Sequence, residues 1–291
     1  MLTSRAPALS VLAAAIAFAS LGELAIAADR SVSPSAKNAE GYLGFDRNEY
    51  PGDANLRELR KTFAFAGYWL NNPPGAKTNT WAGTRSRIQA AGFGFLVLFN
   101  GRLYRELRTN AAEIGKQDAL AAIAAAKREG FPPRTIIFLD QEEGGRLLPE
   151  QNAYLFAWID EITQAGFRAG VYCSGIAARE EGGASVVTAE DIKRNAAGRE
   201  IFYWVTNDAC PPSPGCMVAG PPSGPRASGI DFAEVWQFAQ SPRRKDVAGA
   251  CTGYHKSGDC YSSAEAARQN LHVDLDVASS SDPSSGRTSK R

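Results

Sequence analysis

The segment Thr135–Arg146, TIIFLDQEEGGR, runs an apolar stretch into three closely spaced carboxylates, Asp140, Glu142 and Glu143. Its first half, bounded upstream by Gly130 and Pro132–Pro133, reads as a buried strand. Side chains alternate along a strand, so Asp140 and Glu142 share one face while Gln141 and Glu143 share the other. At a rise of about 3.3 Å per residue, Asp140 and Glu142 stand roughly 6–7 Å apart at Cα. With an effective dielectric of about 20, two ionised carboxylates at roughly 6 Å repel by about 3 kcal/mol, enough to raise one pKa by about two. One acid then keeps its proton to higher pH than a free carboxyl and can donate it. That is glycosidase chemistry. The same residue types after a strand also cap helices or pair with a nearby arginine, here Arg146.

Apolar runs recur along the whole chain and define the frame such acids need. They are Gly41–Asp46, Phe63–Leu70, Phe93–Asn100, Thr135–Asp140, Arg168–Ser174, Glu200–Thr206, Glu234–Ala239 and Leu271–Val277. Helical patterns fall between several of them: Asp53–Lys61, Ile114–Glu129 ended by Gly130, Gln151–Ala165 ended by Gly166, and Thr188–Asn195. Strands alternating with helices imply an α/β fold with a parallel sheet, and eight strands suggest a single closed TIM-like (β/α) barrel over 41–278. The last third is irregular. Asn207–Gly229 is rich in Pro and Gly, and Ser241–Asn270 is long with only Ala264–Arg268 looking helical, so some outer helices are expected to be missing there. In a barrel these loops follow strands six and seven and lie on the catalytic face. The tail from Ser279 is expected to be disordered.

Three more acids sit at strand ends. Asp46 closes the first run, and Asp274 and Asp276 share a face of the last. First and last strands are neighbours in a closed barrel, with strand four across the mouth, so Asp46, Asp140, Glu142 and Asp274 should converge at one end. Tyr68, Tyr172 and Trp236 occur at or near strand ends, where their rings would either stack on sugars or fill the core.

Residues 1–27 read as a signal peptide: Arg5, a small and apolar Ala8–Leu21, and the cleavage sequence Ala25-Ile26-Ala27. A polar lead, residues 28–40, follows. No other run is apolar enough to span a bilayer, so the mature chain is expected to be exported without a membrane span. With 32 basic and 31 acidic residues, the charge balance argues against nucleic acid as a partner. Five cysteines in an exported chain suggest disulfides, with 210–216 and 251–260 favoured over crossed pairings and Cys173 left as a buried small hydrophobe. His255 and His272 are the only histidines, too few for a hydrolytic zinc centre, and no G-x-S-x-G or nucleotide-binding glycine motif follows a strand. No cofactor or metal is implied.

The ordered motifs GFDRNEYPG, LDQE, GVYCSG, EVWQF and HVDLDV resemble the strand motifs of glycoside hydrolase family 25, the lysozyme-type muramidases. The chain looks closer still to the glycoside-hydrolase-like family called domain of unknown function 1906. The resemblance covers Gly41 to Ala278 and implies a β/α barrel with some outer helices missing. Carried over by motif, Asp46 matches the acid of the first strand, Asp140 and Glu142 the D-x-E, and Asp274 the Asp of V-D-L-N. Glu142 would then be the general acid, and Asp140 or Asp274 would stabilise positive charge or orient a 2-acetamido group. Asp276, in place of the motif's Asn, would contact substrate. Asn48 in place of Ser and Phe238 in place of Tyr also depart from the muramidases. Glu143 is an extra acid that either tunes the site or binds Arg146. The resemblance implies a glycosidase acting on peptidoglycan or another amino-sugar polymer, with a non-catalytic glycan-binding barrel as the rival reading.

Overall fold

The computed structural model describes residues 41–207, 223–239, 271 and 273–288. The segments read as signal peptide and polar lead, the cysteines expected to pair, the segment Ala264–Arg268 expected to be helical and both histidines lie outside the described residues. The described residues form ten strands: β1 (Tyr42–Asp46), β2 (Phe65–Trp69), β3 (Gly94–Asn100), β4 (Ile136–Asp140), β5 (Arg168–Ser174), β6 (Ala177–Arg179), β7 (Ser185–Val187), β8 (Phe202–Thr206), β9 (Val235–Ala239) and β10 (Asp274–Ala278). Eight of them close a barrel in the order β1-β10-β9-β8-β5-β4-β3-β2, and each corresponds to one of the eight apolar runs. The remaining two, β6 and β7, form a separate antiparallel hairpin.

The strands are parallel except the last. β10 runs antiparallel to both β1 and β9, which corrects the expectation of an all-parallel sheet. The reason is topological: the chain leaves β9 at the mouth and starts β10 at the same end, so the two strands run in opposite directions. Among the described residues five α-helices flank the sheet: α1 (Asp53–Arg60), α2 (Arg85–Ala90), α3 (Ala111–Glu129), α4 (Pro149–Gln164) and α5 (Thr188–Asn195). Among the described residues no α-helix follows β8, and only a 3-10 turn, Pro225–Ser228, precedes β9. α2 was not legible because a six-residue segment with one large apolar residue, Ile88, carries no helical period. No helix among the described residues is long and apolar enough to cross a membrane.

α3 and α4 pack side by side, and Gly115 makes the contact possible: a Cβ there would lie 2.3 Å from the Tyr154 carbonyl oxygen. Between them Asp118 is buried and held by both Nε and Nη2 of Arg102 (2.8 Å each) and by the Tyr154 hydroxyl (3.0 Å). Arg102 is thereby fixed beside the mouth.

The tail is ordered through Thr288, against expectation. β3 pairs with β4 only from Val97–Ile137 upward, which leaves backbone groups of Phe95 and Val97 unpaired below. The tail satisfies them: Asp282 Oδ1 accepts from Phe95 N (2.8 Å), Ser284 N donates to Phe95 O (2.9 Å) and Ser284 Oγ accepts from Val97 N (2.8 Å). Ile136 N donates to Ser284 O, Arg287 reaches the carbonyls of Phe93 and Gly92, and Arg85 reaches that of Gly286. Buried backbone groups need partners, and this polar sequence supplies them. Its composition hid the role.

Candidate active site

A cavity of about 440 Å³ opens at the C-terminal ends of the parallel strands, and Asp46, Asp140, Glu142 and Asp274 all line it. Asp46 ends β1 and Asp140 ends β4, each at the last residue before the chain turns outward. Asp274 starts β10, yet sits at the same height because it pairs with Asp46 across the antiparallel ladder. Gly67 on β2 makes room for Asp46: a Cβ at 67 would stand 2.6 Å from the Cβ of Asp46. The four acids expected to converge do so.

A hydrogen-bond chain crosses the floor. The Tyr172 hydroxyl donates to Gln237 Oε1 (2.8 Å), and Gln237 Nε2 donates to Asp46 Oδ2 (2.8 Å). The tyrosine donor fixes the amide so that its NH2 group faces the acid. Tyr172 packs on Trp204 with ring centroids 4.4 Å apart, and Trp204 Nε1 donates to Asp276 Oδ1 (3.0 Å). Asp276 is fully buried one pleat below the cavity and does not line it, which corrects its assignment to substrate binding.

Burial sets the protonation of these acids. Asp46 is pushed up to about 6, chiefly by loss of water, with the Gln237 bond opposing and the Glu142 charge assisting. Asp140 is held well above the carboxylate range by burial and by the charges of Glu142 and Asp46, and its Oδ1 has no hydrogen-bond partner. Asp276 is likewise raised well above the carboxylate range, first by burial and then by the Asp46 charge beside it. Glu142 lies past the end of β4 on the loop above it, is more exposed than Asp140, and is raised by partial burial.

The aromatic expectations divide. Tyr172 lines the cavity. Tyr68 does not: it points outward into the helix layer, among Trp81, Phe95 and Phe131, with its hydroxyl donating to Glu129. Its neighbour Trp69 takes the inward direction and lines the cavity. Trp236 also faces outward, packed on Phe238 with its Nε1 donating to Asn207 O, while Gln237 turns in. Both misplacements are errors of one residue, which in a strand reverses the face. Trp69, Trp204, Gln237 and Arg47 were missed. The available signal was Gln237, a lone amide between aromatic residues on an otherwise apolar strand. Glu143 lies outside the cavity, accepting from Tyr104 N (2.6 Å) and Gln151 Nε2 (2.8 Å). Arg146 pairs not with Glu143 but with Glu180 at the end of the β6–β7 hairpin and with Asp191 on α5, bracing the loop that carries Glu142.

A second lobe, of about 570 Å³, adjoins the first across Pro74, Asp140 and Glu142, which line both. Its other walls include Asn71, Asn72, Asn100, Arg102 and Arg105. Asp140 and Glu142 therefore stand where two halves of one cleft meet.

A closed barrel with acids gathered at this mouth has the build of the glycoside-hydrolase-like barrels. The model of the family described as Rv2525c-like, glycoside hydrolase-like domain matches residues 62–211, and the chain belongs to this family. It is the glycoside-hydrolase-like family to which the strand motifs pointed. An uncharacterized protein of B. stearothermophilus is 19% identical with a TM-score of 0.53, over 82% of this chain and 96% of that one, and shares the fold. The Tat-secreted protein Rv2525c of Mycobacterium tuberculosis, solved with L-tartrate, is 14% identical with a TM-score of 0.49, over 82% and 95% of the two chains. A family 25 glycosyl hydrolase from Bacillus anthracis is 13% identical with a TM-score of 0.43, over 81% and 88%. No curated protein matches the chain.

Proposed function

We propose that the protein is an exported glycoside hydrolase of the cell envelope, cleaving peptidoglycan or another amino-sugar polymer, with Glu142 as general acid. The observation that carries this reading is the position of Asp140 and Glu142 at the junction of the two lobes. A polymer lying along the cleft presents a glycosidic oxygen there, with sugars on either side. Glu142, at the opening, gives its proton to that oxygen as the C1–O bond breaks and the bonding pair stays with the leaving sugar. Asp140 or Asp274 faces the ring that keeps the anomeric carbon. There Asp274 stabilises the developing positive charge, or Asp140, held toward its protonated form, orients a 2-acetamido group for internal attack. Water then adds at C1 and returns a proton to the Glu142 carboxylate, which balances the cycle. Asp46, held by Gln237 and backed by Asp276, fixes the sugar hydroxyls or the acids around it.

The binding-only barrel is the second reading, and one observation favours it: Glu142 is more exposed than Asp46 or Asp140. One experiment separates the two. Reducing-sugar release from purified peptidoglycan and chitin oligosaccharides is compared for the mature protein and Glu142→Gln. Catalysis predicts release by the wild type and a loss of about 10²-fold or more in a variant of unchanged melting temperature. If neither protein releases sugar while both sediment with the polymer, the barrel is a binder.

A further inference from the structure

Arg47 follows Asp46 at the mouth and lines the first lobe. Its backbone is pinned, since both Trp69 Nε1 (3.1 Å) and Trp81 Nε1 (3.2 Å) donate to the Arg47 carbonyl oxygen. Its side chain is only 14% exposed, and its Nε is out of water without a hydrogen-bond partner. The nearest acid, Glu49, lies 3.9 Å away on a side chain that is 77% exposed, too far for a hydrogen bond. Arg102 is engaged with Asp118, Arg199 with Asp160, Arg287 with Phe93 O and Gly92 O, and Arg85 with Gly286 O, while the Nε of Arg85 and of Arg168 is also without a partner. Among the described residues no acceptor takes the Arg47 Nε–H, and its one ion pair is the long contact with Glu49. A sequestered guanidinium without partners is unfavourable unless a ligand completes it.

We infer that Arg47 anchors a carboxylate carried by the bound saccharide, so that the cleft selects an acidic sugar over its neutral counterpart. This rests on the reading of the cleft as a glycan site. The planar fork of arginine matches a carboxylate bidentately, which a lysine or an amide cannot reproduce. Among the described residues lining the first lobe Arg47 is the only cation, which suits a monoanion better than a doubly charged phosphate. Asp46, Asp140, Glu142 and Asp274 line the same lobe and weigh against the ligand's charge, and burial holds Asp46 and Asp140 toward their protonated forms. Two saccharide types carry the required group: a uronic acid, and an amino sugar bearing a free carboxyalkyl ether.

Calorimetric titration of the mature protein tests the assignment, because binding does not require turnover. The probes are an oligosaccharide of alternating N-acetylglucosamine and glucuronic acid, its carboxyl-reduced form, a muramic acid strand freed of peptides, its methyl ester, and chitotetraose. The wild type should bind at least one carboxylate form tenfold or more tighter than its neutral partner, and which pair shows the gap identifies the source. Arg47→Gln should abolish that gap, and Arg47→Lys should restore part of it. An equal affinity within both pairs, or a gap that survives in Arg47→Gln, overturns the inference but leaves the glycan site standing. Displacement of the bound sugar by inorganic phosphate but not by glucuronate overturns it too. Failure to bind any saccharide defeats the glycan reading itself.

Discussion

Asp46→Asn tests whether the acid cluster is held against the stability of the fold. Asp46 titrates near 6 in the folded chain against 3.8 for an unperturbed aspartate, so the fold favours its neutral form. The interval, 6 − 3.8 = 2.2, multiplied by 1.36 kcal/mol gives about 3 kcal/mol. The sign follows from proton counts. Below about pH 4 folded and unfolded chains both hold the proton, and Asp46 behaves as the neutral amide would. Between about 4 and 6 the unfolded chain loses the proton while the fold retains it, so wild-type stability falls as pH rises. Above about 6 the whole deficit is present. Asparagine keeps a carbonyl oxygen to accept from Gln237 and carries no charge, so the variant should gain about 3 kcal/mol at pH 7.5 and nothing at pH 3.5. For a domain of this size that corresponds to roughly 6–12 °C in melting temperature. Urea titrations of both proteins at the two pH values read it directly. An equal gain at both pH values would mean that packing, not charge, had changed, and a loss at pH 7.5 would refute the buried-acid account.

The register of β2 separates neighbouring aromatics. Tyr68→Phe should lose about 1 kcal/mol with the Glu129 hydrogen bond and leave glycan affinity unchanged, whereas Trp69→Ala should weaken glycan binding about tenfold. At the barrel floor, Ser284→Ala leaves Val97 N without an acceptor and should reduce unfolding free energy by roughly 1–3 kcal/mol. Removing residues 280–291 should cost more, since the Asp282 and Arg287 bonds go as well. Hydrolysis should decline toward alkaline pH as Glu142 loses its proton, at a pH above the ordinary glutamate value because burial raises it. A profile that stays flat through neutral pH would remove Glu142 from the acid role.

All eight barrel strands were legible as apolar runs, and so were the acids that end them. Strand residues must be apolar to fill a barrel, and a carboxylate at the last position of such a run has nowhere to go but the mouth. Long helices such as α3 announced themselves by composition and a terminal Gly130. The β6–β7 hairpin and α2 did not, because three to six residues carry too little periodicity to distinguish them from loop.

The sequence by itself determined the barrel, its family and the identity of the four acids at its opening. These depend on local pattern: apolar runs, their punctuation, and charges at their ends. Tertiary structure alone decided the rest. The phase of each strand against the barrel wall put Trp69 and Gln237 inside and Tyr68 and Trp236 outside, a choice of one residue that alternation permits either way. The reversal of β10 placed Asp274 at the mouth and Asp276 beneath it. Packing left the Arg47 Nε without a hydrogen-bond partner among the described residues and found partners for Asp282, Ser284 and Arg287 in a tail that looked disordered. Direction, phase and partnership are properties of neighbours distant in the chain, and no stretch of sequence contains both sides of such a contact.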